Sequence, residues 1–107
     1  MFASKISAAA KQCGLQVSFA RSSEETLHQA RTVKPRLIIL DLNSTRLDPL
    51  ETVAALKADD ELGAIRTLGF VSHVQAEVIA AARAAGIDEV LARSAFSARL
   101  GEILAGA

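Results

Sequence analysis

The chain has 107 residues, half of them hydrophobic, with twelve basic residues balanced by twelve acidic ones. That length suits one domain, and the neutral balance excludes the charge excess that draws a protein to nucleic acid or an anionic membrane. One cysteine rules out an intrachain disulfide or a Cys-rich metal site. No apolar run approaches the roughly 20 residues of a membrane span, and the start "MFASKISAAAKQCG" lacks the long apolar block of a signal peptide, so the expected location is cytoplasmic.

In chain order, Phe2, Ile6, Ala9, Ala10 and Cys13 recur at helical spacing, and Gly14 suits the C-terminal cap. This spacing predicts a reduced core thiol at Cys13. Leu15 to Ala20, "LQVSFA", alternates and predicts a short strand. Ser22 with Glu25 makes a capping box before a helix carrying Leu27, Ala30 and Val33, in which His28 is expected to face solvent. Pro35 ends that helix. "RLIIL" is continuously apolar, the pattern of a parallel strand covered on both faces, and runs directly into Asp41.

Asp48, Pro49 and Glu51 read as N-cap, first and third residues of a helix carrying Leu50, Val53 and Leu56. "DDELGAI" reads as a loop and "RTLGFV" (66–71) as a strand weakened by Gly69. Val78, Ile79 and Ala82 mark another helix closed by Gly86. "DEVLA" (88–92) is a short strand, and Leu100, Ile103 and Leu104 form the apolar face of one last helix.

Strands alternating with helices imply parallel strands joined by right-handed crossovers. The fold class is therefore α/β: a doubly wound parallel sheet with helices on both faces, as a single domain over residues 1–107. Chemistry in such sheets gathers at the carboxyl ends of the strands, where Asp41, Ser72 with His73, and Arg93 all fall. Each has a plain alternative role. Asp41 can be a strand-end acid bonding loop amides, Arg93 a surface arginine, and Asp48 is already explained as a cap. Asp41, Ser72 and His73 supply the residue types of a small hydrolase. Neighbours at a strand end point to opposite faces, however, so His73 is poorly placed as base for Ser72, and no G-x-S-x-G elbow is present. No G-x-G-x-x-G or P-loop occurs either.

Taken together, these positions resemble the receiver domain of bacterial response regulators, across nearly the whole chain. "DLNSTRLDPL" has the length of the receiver phosphorylation loop and places Asp41 at the phosphoacceptor position. Ser72 in "GFVSH" matches the small hydroxyl residue after the fourth strand. "AARAAGIDEVLARSAF" resembles the run leading to the receiver Lys-Pro, with Arg93 where the lysine stands. The resemblance implies a flavodoxin-like fold, two-component signal transduction, no enzymatic activity, and partners among kinases or downstream effector proteins. It also implies Mg²⁺, with Asp41 and the backbone carbonyl of Asn43 as weak candidate ligands. On phosphorylation, Ser72 and Arg93 would contact the phosphoryl group, and the face around Val90 and the helix from Phe96 to Leu104 would be reshaped.

The departures are as informative. Thr45 and Pro49 replace the loop's proline and glycine, and arginine lacks the shape of lysine. The first receiver strand, which carries the Mg²⁺-binding acidic pair, has no counterpart, because the sequence opens inside the first helix. The expectation is a degenerate receiver-like domain acting by protein–protein contact, with phosphorylation at Asp41 weak or absent. The sheet would have unpaired edges and either form a marginal monomer or pair into a homodimer. An internal start, giving a truncated product without activity of its own, is the remaining reading.

Overall fold

The computed structural model describes residues 2–20, 22–43, 48–72 and 76–106. The elements run α1 (Phe2–Gln12), α2 (Ser23–Val33), β1 (Leu37–Asp41), α3 (Pro49–Ala58), β2 (Arg66–Val71), α4 (Ala76–Ala85), β3 (Glu89–Ala92), α5 (Arg93–Ala98) and α6 (Leu100–Ala105). The strands form a parallel sheet in the order β1-β2-β3.

The helix boundaries follow from local chemistry. The Ser22 hydroxyl accepts the Glu25 N–H and starts α2. The Asp48 carboxylate accepts the Glu51 N–H and starts α3, with Pro49 in its first turn, where a missing N–H costs nothing. Gly14, at φ 72°, takes the left-handed turn that closes α1. His28 is exposed, as its polar neighbours imply.

The two sheet faces divide along β2. Leu68 and Phe70 point to one side and join Ile6, Phe96, Leu100 and Leu104 beneath α1, α5 and α6. Phe70 stacks on Phe96 with ring centroids 4.8 Å apart. Val71 points to the other side, where Leu40, Leu42, Val53, Ala82 and Ile87 pack under α3 and α4. Gly69 is required on that side: a Cβ there would come within 2.8 Å of Leu42 and 2.7 Å of Ile87. What the sequence shows as a weakness in the strand is a close approach between layers.

Four expectations need correction. Leu15–Ala20 is not a strand: it carries no regular structure and is separated from β1 by a groove instead of being paired with it. Cys13 is exposed, lying at the frayed end of α1 beyond the buried stripe of Ile6 and Ala10. Leu37, Ile38 and Ile39 are only half-buried, because among the described residues β1 is paired on one side only, with β2. The last helix is broken at Arg99, whose φ and ψ of −101° and 7° separate α5 from α6.

Candidate functional site at the carboxyl end of the sheet

Three of the residues singled out by sequence lie at one end of the sheet. Asp41 is the last residue of β1 and sits level with Phe70. Ser72 follows β2 directly, and Arg93 follows β3, with Val71 level with Ala92. Asp41, Asn43, Ser72 and Arg93 are all exposed. His73 lies outside the described residues, as does Thr45 of the loop between Asn43 and Asp48.

A short chain of hydrogen bonds joins the two neighbouring strand ends. Asp41 Oδ1 accepts the Asn43 N–H at 2.9 Å, a tight turn of carboxylate onto its own loop. Asn43 Oδ1 in turn accepts the Ser72 N–H at 2.6 Å. The Asn43 side chain, rather than its backbone carbonyl, thus bridges the two loops. Sequence offered no signal for this bridge, since it depends on the packing of β1 beside β2.

For a divalent cation the donor set is sparse. Mg²⁺ takes six oxygens in near-octahedral array. Asp48 is occupied as a helix cap, which leaves Asp41 and the Asn43 carbonyl. Among the described residues, no group of three His, Cys, Asp or Glu side chains comes together to hold a metal. The described residues therefore do not by themselves fit Mg²⁺.

The opposite end of the sheet holds a polar cluster that sequence reasoning missed. Asp88 Oδ2 accepts the Thr67 N–H at 2.8 Å, the Thr67 hydroxyl at 3.1 Å and Lys57 Nζ at 3.1 Å. Lys57 also donates to the Gly63 and Ile65 carbonyls. Burial pushes the Asp88 carboxyl up, but the Thr67 and Lys57 hydrogen bonds outweigh it and hold the group below the usual carboxylate range. Nearby, the Arg31 guanidinium bonds Asp59 between α2 and α3 and lowers the Asp59 carboxyl. These contacts fasten elements together and lie away from Asp41.

No family model matches the sequence, and no curated protein matches it significantly. Solved structures do match. The chain is similar to the phosphorylated cyanobacterial phytochrome response regulator RcpA, with 23% identity and a TM-score of 0.78 over 98% of this chain and 81% of that one. A two-component response regulator from Legionella pneumophila gives 18% identity and a TM-score of 0.79 over 99% and 90%. A response regulator from Burkholderia pseudomallei, solved with a phosphorylated aspartic acid, calcium ion and citrate, gives 24% and 0.75 over 98% and 65%. The fold is thus that of response regulator receiver domains, a doubly wound flavodoxin-like sheet with three paired strands among the described residues.

Proposed function

We propose that this chain is a receiver-like regulatory module of two-component type, acting in the cytoplasm through contact with a signalling protein rather than by catalysis. The receiver fold supports the class. The position of Asp41 at the carboxyl end of β1, linked through Asn43 to Ser72, supports the site. Phosphorylation of Asp41 is weak or absent in this reading. Phosphoryl transfer is catalysed almost wholly by positioning and charge neutralisation. Without a cation, each pair of like charges at about 4 Å costs from about 1 kcal/mol in water to about 4 at a protein surface. Ser72 and Arg93 are the groups that would meet a phosphoryl group, and Arg93 would supply the positive charge.

The contact surface in this reading is formed by α4, β3 and the exposed side of α5 and α6, and its composition differs from the expectation. Phe96, Leu100, Ile103 and Leu104 are buried against α1 and the sheet, and Val90 packs inward beside Ile87. The exposed residues of these elements include Ala80, Ala84, Ser94, Ala98, Arg99 and Glu102.

Incubation with a small phosphodonor and Mg²⁺, followed by intact mass, tests the site. The expected result is no gain of a phosphoryl group beyond that of an Asp41→Asn control. A full gain that vanishes in the control would show a working phosphoacceptor and overturn the weak-phosphorylation reading. The hydrolase alternative depends on His73, outside the described residues, and nothing in the described site favours it.

A further inference from the structure

A groove of about 680 Å³ runs along the open side of β1. One wall is β1 itself, the other is Leu15–Ala20, and the floor includes Ile6, Ala10, Phe70 and Leu104. Among the described residues, the exposed large hydrophobics are Leu15, Val17, Phe19 and Val33, at 40, 39, 48 and 60% exposure, and all four line this groove. Apolar exposure concentrated in one place marks an interaction surface.

The backbone of β1 specifies what fits there. The Leu42 N–H donates to the Phe70 carbonyl, so Leu42 faces β2. By the alternation of a parallel ladder, Leu40 and Ile38 face β2 as well, and Leu37, Ile39 and Asp41 turn their N–H and C=O groups toward the groove. A row of alternate donors and acceptors at strand spacing is satisfied by another extended backbone. The far wall needs partners too. Among the described residues, Leu15–Ala20 is held by the Leu15 N–H on the Ala10 carbonyl and by Gln29 Nε2 on the Phe19 carbonyl.

Side chains narrow the choice further. Apolar groups lie on both sides of the sheet plane along the groove, Ile6 and Leu104 on one and Ala30 and Val33 on the other. An occupant must therefore be apolar at successive positions, not at alternate ones. Charge marks the ends: Lys34 and Arg36 where β1 begins, Asp41 where it ends. A complementary segment carries an acid at the first end and a base at the second.

We infer that this groove binds an extended peptide segment of a partner protein, which joins the open edge of β1 as an added strand. The segment is about five apolar residues long, matching β1, with an acidic residue beside Lys34 and Arg36 and a basic one beside Asp41. This inference concerns a different surface from the α4–β3–α5 face and does not depend on it.

The test uses the full chain and a fluorescein-labelled peptide of one glutamate, five alternating valines and isoleucines and one lysine, with a soluble Gly-Ser tail. Fluorescence anisotropy is expected to show saturable one-to-one binding. N-methylation of alternate residues keeps the apolar surface and removes backbone donors. In at least one of the two alternate patterns it is expected to weaken binding by about tenfold or more. Val17→Asp with Phe19→Asp, both exposed, should abolish binding while Ala84→Asp on α4 leaves it intact. Equal binding of the unmethylated and both methylated peptides would reduce the groove to a nonspecific apolar surface and overturn the inference. So would absence of binding up to the solubility limit, as happens if Leu15–Ala20 closes onto β1. A stable dimer that the peptide does not perturb would assign the groove to a second copy and overturn it as well. The methylated peptides keep the test decisive if the Asp variants fail to fold.

Discussion

β1 and β2 are neighbours of similar composition with different surroundings. β2 has a strand on each side and helices over each face, and every residue from Thr67 to Val71 is buried. β1 is equally apolar but has β2 on one side and a groove on the other, and three of its five residues are half-exposed. Hydrophobic sequence alone does not make a strand central; burial also requires a partner that covers its edge and carries side chains to both faces.

The largest expected effect tests the closed side. Phe96 is fully buried against Phe70, and Phe96→Ala should cost about 3–5 kcal/mol in urea unfolding. Phe19→Ala on the groove wall should change stability by less than about 0.5 kcal/mol. Comparable losses at both positions would break the contrast between the two halves. Gly69→Ala should cost about 1–3 kcal/mol through overpacking against Leu42 and Ile87; a neutral result would mean that the layers can part.

Asp88→Ala should cost about 1–3 kcal/mol, since it strips the buried Thr67 N–H and hydroxyl of their acceptor. The same group sets a pH dependence. Its carboxyl is lowered in the fold, so its contribution is complete above the ordinary carboxylate range and is lost as pH falls through the lowered value. Urea midpoints measured from neutral pH downward should drop in acid, and less steeply in Asp88→Asn. Among the substitutions expected to destabilise, the smallest effect is at the α3 cap, where Asp48→Ala should cost about 1 kcal/mol by thermal unfolding.

Much of the closed half was legible from sequence. Caps such as Ser22 and Asp48 act within a few residues, and the periodicity of Val53 and Leu56 is local. The α/β order, Asp41 at a strand end, and the co-location of Ser72 and Arg93 followed from that order. What escaped was whatever depends on a partner distant in sequence. Leu15–Ala20 has the composition of a strand, but a strand is a property of a pair. Cys13 fits a helical stripe that stops one turn earlier. The Asn43 bridge to Ser72 joins residues 29 positions apart, and the Asp88 cluster joins α3, β2 and the turn before β3.

The sparse hydrogen bonding of Leu15–Ala20 has a consequence for solvent exchange. An amide with no structural acceptor exchanges its hydrogen at close to the free-chain rate, whereas amides in a central ladder wait for cooperative opening. The residues from Gln16 to Ala20, beyond the Leu15 N–H that bonds the Ala10 carbonyl, should thus exchange early while Leu68 and Phe70 remain protected, dividing the domain into a slow body and a fast wall. Whatever settles beside β1 would be recorded as slowed exchange at Ile39, a reading that needs no knowledge of the occupant's name.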